Sequence, residues 1–299
     1  PMWLLFSLFS ILAWSGSDLF SKLGSRPDDS YSHWKMVMAV GLVMGAHAIF
    51  EMTIGGVDFD WNSVMIYLPV SALYILSMIF GYAGLRYIEL SISSPICNSS
   101  GAITSLLCFF VLGQSMTGLQ FVGVTLVCLG VIGLAALERS QAVKETVDSG
   151  EEVPSKYSKS FLAVLFPILY CIIDGLGTFA DTVVLDSGML AERQANIAYE
   201  LTFLCMGIAA FIYVVLIKKQ PLTVERERPK LLAALCETAG QFTYVFAIGA
   251  NAILAAPTIA SYSIFSVLWS RIFLKEKLTP KHYAIIGMAM VGIFILGME

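Results

Sequence analysis

Apolar residues run along this chain in long blocks that short polar intervals interrupt, a pattern too continuous for the half-buried elements of a domain that folds in water. The blocks predict helices over residues 3–23, 33–54, 64–87, 90–112 and 119–137, and again over 161–185, 194–217, 231–250, 253–274 and 282–297. Each is about the length that crosses the hydrocarbon layer, which takes roughly 20 apolar residues. Between the two sets, residues 138–160 turn polar and charged, with Pro154 inside, and must leave the membrane. The expected fold class is therefore an all-α integral membrane protein with ten transmembrane helices. Residues 1–137 form one set of five, 138–160 the linker, and 161–299 the second set. Residues 3–23 lack a basic start and a small-residue cleavage site, so they predict a retained first helix.

The second set repeats the first. Without gaps, Tyr82 aligns with Tyr244, Pro95 with Pro257, Thr117 with Thr279 and Gly130 with Gly292, each pair 162 positions apart. Nearer the start of each set, Trp14 and Asp18 align with Tyr170 and Asp174 at a spacing of 156. Five crossings are an odd number, so the second copy enters from the opposite side and the repeat has inverted topology.

Composition sharpens this picture. Hydrophobic residues make up 57% and charged residues 13% of the chain, and mean hydropathy is +0.78, so lipid is the solvent for most of it. A net charge of −4 and the absence of a basic patch exclude a nucleic-acid partner. All six cysteines lie in apolar runs with no metal-ligand spacing. His33, His47 and His282 are far apart, no nucleotide-binding glycine loop or zinc motif is present, and no cofactor is expected.

Three stretches carry a resemblance: Trp14-Ser-Gly-Ser-Asp-Leu-Phe-Ser-Lys22, the Ser94-Pro95 pair, and Leu274-Lys-Glu-Lys-Leu-Thr-Pro280 followed by Gly287, Gly292 and Gly297. Together they resemble an EamA-like transporter of the drug/metabolite transporter superfamily over nearly the whole chain. The resemblance implies a secondary transporter in the cell membrane, multi-pass and in the bacterial cytoplasmic membrane, with a small-molecule substrate. It also implies that the fifth and tenth helices stand away from the cavity as a homodimer or scaffold face. The first set departs from the family at Gly113-Gln114-Ser115, where an acid is usual and where the second set keeps Glu276.

Orientation has two readings. Lys and Arg gather at one end of the ten helices, with only Arg193 at the other, and the charge rule places the basic end in the cytoplasm and both termini outside. The resemblance implies cytoplasmic termini.

Ionisable groups inside apolar runs carry the chemistry, because an acid at the bilayer centre costs roughly 2.5–3.5 kcal/mol on insertion scales. Helical spacing groups Trp14 and Asp18, then Tyr170, Asp174 and Asp181, then Asn196 and Glu200, and Glu237, Gln241 and Tyr244. Asn98, Tyr262 and Trp269 add polar and aromatic groups on the fourth and ninth helices, and Tyr82 sits mid-helix. We expect Trp14, Asp18, Tyr82, Asn98, Tyr170, Asp174, Glu200, Gln241, Tyr244, Tyr262 and Trp269 to bind substrate in a central cavity. Asp174, Glu200, Glu237 and His47 would couple transport to protons, since a carboxyl in low dielectric favours its neutral form. Simpler roles compete: Asp18 pairing with Lys22 one turn on, and Asp181 and Glu51 reaching the solvated interface. The excess of acids predicts a cationic or zwitterionic amine rather than an anion, the alternatives being a neutral solute such as a nucleoside or a non-transporting sensor or assembly subunit. Small residues predict close helix contacts, at Gly41 and Gly45 and at Gly123, Gly130 and Gly287. Pro95 and Pro257 would open the fourth and ninth helices or act as hinges.

Overall fold

The computed structural model describes residues 2–149 and 153–298. The regular elements among them are all helical: α1 (Met2–Gly24), α2 (Ser32–Thr53), α3 (Asn62–Leu85), α4 (Leu90–Cys97), α5 (Ser100–Leu112), α6 (Gly118–Ser149), α7 (Val153–Asp186), α8 (Glu192–Phe211), α9 (Val224–Ala260), α10 (Tyr262–Phe273) and α11 (Pro280–Gly297). A wide π turn over Ile212–Ile217 extends α8. Among the described residues seven stretches are long and apolar enough to cross a bilayer: Met2–Gly24, Ser32–Thr53, Asn62–Leu85, Leu90–Leu112, Leu162–Asp186, Glu192–Ile217 and Pro280–Gly297. The apolar part of α6 is shorter. The backbone of the expected linker is helical up to Ser149 and again from Val153, and 150–152 lie outside the described residues.

The fourth helix is not continuous. It breaks between α4 and α5 at Asn98 and Ser99, where the Ser99 hydroxyl donates to the Pro95 carbonyl at 2.7 Å and the Asn98 amide donates to the Ser94 carbonyl at 3.1 Å. Side-chain bonds of this kind compete with the helical ladder. The same break recurs 162 positions later at Ser261. Backbone angles agree closely (φ −78°, ψ 0° at Ser99; φ −78°, ψ 2° at Ser261), and in both places the residue three positions on donates back to the serine carbonyl, at 3.1 and 3.0 Å. The expected helix starts at Pro95 and Pro257 are thereby corrected. Pro95 lies within α4 and position 257 within α9, and the interruption follows each. The expected boundary between 250 and 253 is also absent, because Ala-Asn-Ala-Ile contains neither proline nor glycine to end α9.

The halves interlock. α1 packs on α9 while α3 packs on α7, α2 on α9 while α3 packs on α8, and α2 on α8 and α6 on α11 close the set. Exchanging the repeats turns this list of pairs into itself. Between helices in lipid there is little hydrophobic driving force, so close approach and hydrogen bonds hold them. A Cβ on Gly41 would meet the Phe203 carbonyl oxygen at 2.5 Å and the Gly207 Cα at 3.0 Å, which shows how tightly α2 lies on α8. The small residues of α6 face α11 within the same chain: Gly130 lies against Ala289, and Gly292 against Gly123 and Val127. Gly287 has open space around it. A buried apolar cluster of Met36, Val40, Met44, Met78, Tyr82 and Phe203 ties α2, α3 and α8 together beside the central cavity.

Replacing Gly41 by Ala is expected to lower stability in detergent by about 1–3 kcal/mol, the usual cost of overpacking. Thermal melts of the two proteins check this, and an unchanged midpoint would contradict the contact.

Candidate functional site

Polar stripes of five helices, with single residues beside the two helix breaks, converge on one cavity of about 530 Å³. α1 contributes Trp14, Ser17 and Asp18; α7 contributes Tyr170, Asp174, Thr178 and Asp181; α3 contributes Tyr67, Tyr74 and Tyr82. Asn98 follows α4, Asn196 and Tyr199 come from α8, Glu237, Gln241 and Tyr244 from α9, and Tyr262 opens α10. Each stripe follows helical spacing, so a straight helix can present its polar groups to one side and apolar groups to lipid. On the two first helices the aromatic residue lies against a glycine of the opposite half: Trp14 against Gly240 and Tyr170 against Gly81, where a Cβ would sit 2.3 and 2.8 Å from the ring atoms. The absent side chains let both rings approach the opposite half this closely.

The acids are held by hydroxyls. Asp18 accepts hydrogen bonds from Ser94 and Ser266, each at 2.6 Å, Glu237 from Ser17 at 3.1 Å, and Asp181 from Tyr67 at 2.6 Å. Tyr74 donates to Thr178 at 3.2 Å. The Trp14 ring lies between Tyr244 and Tyr262, with centroids 5.2 and 5.6 Å away. Among the described residues five carboxylates line the cavity, Asp18, Asp174, Asp181, Glu192 and Glu237, and no Lys, Arg or His does. Lys22 does not neutralise Asp18; its ammonium donates to the Leu85 and Ile88 carbonyls at 2.7 and 2.6 Å. Among the described residues no three His, Cys, Asp or Glu side chains converge as a metal site.

Among the described residues the cavity lining is exposed toward one end and buried toward the other. Glu192, at the start of α8, is exposed, whereas Ser21, Leu85 and Leu90 at the other end are buried. Beyond that buried end the turn between α3 and α4 is fastened twice. Lys22 caps the carbonyl end of α3, and Glu276 accepts from the Leu90 amide at 2.9 Å, the Ser91 amide at 3.1 Å and the Ser91 hydroxyl at 2.7 Å. A cation on a helix C-terminus and an anion on an N-terminus both suit the backbone dipoles.

Of the expected residues, Trp14, Asp18, Tyr82, Asn98, Tyr170, Asp174, Glu237, Gln241, Tyr244 and Tyr262 line this cavity. Glu200, Trp269 and His47 do not. Trp269 lies on the far side of α1, where its indole donates to Ser15 at 3.0 Å. Glu200 is 1% exposed and faces His47 at 2.9 Å, because four residues C-terminal to Asn196 it lies one turn deeper, where α8 packs on α2. Asp181, assigned to the interface as one reading, is a lining residue. Tyr67, Tyr74 and Tyr199 were missed. A signal existed for the first two, since Tyr67, Tyr74 and Gly81 recur every seven residues on one face of α3.

These features define a multi-pass, all-helical membrane protein with a solute-sized internal cavity. A sequence profile of the EamA-like transporter family matches residues 1–136 and 162–298, so the chain belongs to that family and is a transporter of the drug/metabolite type. A search of curated proteins finds no match. One solved structure, titled only "Crystal structure of protein", is similar over 98% of this chain and 96% of that chain, with a TM-score of 0.60 and 13% identity. That likeness shows the fold.

Replacing Glu276 by Gln removes a charge-assisted cap worth about 1.5–3 kcal/mol. In sealed vesicles it should raise labelling of Cys97, a cavity residue, by an impermeant thiol reagent added from the Lys22 side by about tenfold. Unchanged labelling would show that Glu276 does not hold that end shut.

Proposed function

We propose that the protein is a secondary active transporter of a small polar, cationic or zwitterionic amine-bearing metabolite, working by alternating access and linked to protons. The observation that carries this reading is the cavity lining: among the described residues, five carboxylates without a basic side chain. The four acids inside the cavity, with Glu192 at its exposed end, repel one another and any anion. A cation relieves that repulsion, and so does a proton. Competition between the two for Asp18, Asp174 and Glu237 is the simplest form of exchange. The faces of Trp14, Tyr82, Tyr170, Tyr244 and Tyr262 favour the same ligand, because an ammonium is drawn to aromatic quadrupoles.

The reading includes ten crossings arranged as two five-helix repeats of opposite orientation in the bacterial cytoplasmic membrane. Support comes from the two separate family matches, the exchange symmetry of the packing pairs, and the paired breaks at Ser99 and Ser261. Discontinuous helices at matching places in the two halves are a recurring device for building a site in the middle of a membrane. The broken helices let Asn98 and Tyr262 face the cavity. A neutral solute such as a nucleoside is the second reading, favoured by the amides of Asn98, Asn196 and Gln241 among the same lining.

Calorimetry on the purified protein is expected to show binding of amines and none of organic anions. Asp174→Asn should weaken amine binding by about tenfold or more, the loss of a hydrogen-bonded charge in a desolvated site. Tight binding of an anion, or unaltered amine affinity in Asp174→Asn, would overturn the substrate assignment. In reconstituted vesicles, uptake of the amine should follow an imposed pH gradient. Uptake indifferent to the gradient and to an ionophore would remove the proton from the mechanism.

A further inference from the structure

Behind the cavity wall lies a chain of polar groups that the transport reading leaves unused. Glu200, buried on α8, accepts from His47 Nδ1 through both carboxylate oxygens at 2.9 Å and from the Asn196 side-chain amide at 3.2 Å. Asn196 in turn accepts from the Gln241 side-chain amide at 3.5 Å. Asn196 and Gln241 line the cavity; Glu200 and His47 do not. On its other side His47 meets Glu51, with Nε2 3.8 Å from a carboxylate oxygen, and Glu51 is itself bridged to Arg193 at 3.2 Å. The Phe242 ring of α9 lies edge-on to the imidazole, 5.5 Å between centroids.

The geometry points to Glu200, held by His47, as a positioning residue that sets the direction of the Asn196 and Gln241 amides and thereby the hydrogen-bond character of the cavity wall. A carboxylate can only accept. Asn196 must therefore turn its NH₂ toward Glu200, which leaves its carbonyl oxygen for the NH₂ of Gln241. With that group engaged, the Gln241 carbonyl is the end offered to the cavity. The wall then presents an acceptor, which rewards a substrate that carries N–H donors. An amide free to flip would present either end with equal ease. The physical basis is the asymmetry between satisfied and unsatisfied buried polar groups, since a wrongly turned amide would set donor against donor and cost about 1–3 kcal/mol.

This inference rests on the amine reading above, and the test separates the two. The probes are ethanolamine, which carries three N–H donors at its ammonium, and choline, whose trimethylammonium has the same charge and none. Calorimetry on the wild type should favour ethanolamine. In Glu200→Gln, whose amide can donate as well as accept, that preference should fall by about tenfold while choline affinity changes less than twofold, because the cavity carboxylates are untouched. Asn196→Leu keeps the Glu200 and His47 pair intact and should lose the same preference, which guards against Glu200→Gln failing to fold. A merely structural role would lower the melting temperature and weaken both probes together. An ethanolamine-to-choline ratio unchanged in both variants, with wild-type binding of both probes, would overturn the positioning role alone. Failure of the wild type to bind either probe would overturn the amine reading and this inference with it.

Discussion

A carboxylate can remain inside a membrane protein only where other groups stand in for water, and the bonds that do so for Asp18 organise this molecule. Its partner hydroxyls come from Ser94 on α4 and Ser266 on α10, one from each half of the chain. The acid at the centre is thus a joint between the repeats as well as part of the cavity. Glu237 is held the same way by Ser17 across α1 and α9, and Asp181 by Tyr67 across α7 and α3. These two helix pairings exchange when the halves are exchanged. Desolvation of an acid is costly enough that each such bond constrains where its helix can lie.

The repeats are alike in fold and unlike in charge. Both break their long helix at the same serine, Ser99 and Ser261, and both set an aromatic ring of the first helix against a glycine of the other half. The fastening beyond the closed end has no such counterpart. Glu276 aligns with Gln114 and Lys22 with Thr178 at the repeat spacings, so a charged cap at one end of the cavity corresponds to neutral residues at the other. A charge-assisted hydrogen bond is roughly twice as strong as a neutral one. The charged fastening thus lies beyond the buried end of the cavity lining, and the exposed Glu192 at the opposite end.

Much of the site was legible because membrane helices simplify the code. In an apolar segment a polar residue is an exception, and two or three exceptions at helical spacing identify a face. Asp18 with Trp14, Asp174 with Tyr170, and Gln241 with Glu237 and Tyr244 were found in this way, and all line the cavity. The same rule failed for Glu200. Spacing from Asn196 by one turn placed both on a single stripe, but the stripe curves around α8, so Asn196 meets the cavity and Glu200 meets α2. Trp269 failed likewise, its indole turned to Ser15 behind α1.

The sequence by itself determined that the chain is a duplicated set of membrane helices, because the length of apolar blocks and a repeat spacing of 162 are properties of order along the chain. It determined as well which residues would be costly to leave facing lipid. Only the tertiary structure decided their partners. Whether Asp18 bonds Lys22 or two serines, and whether Glu200 touches a solute or a histidine, depends on which helices become neighbours and how each is rotated. Rotation by less than half a turn moves a side chain from the cavity to a helix interface while leaving the periodicity of the sequence unchanged.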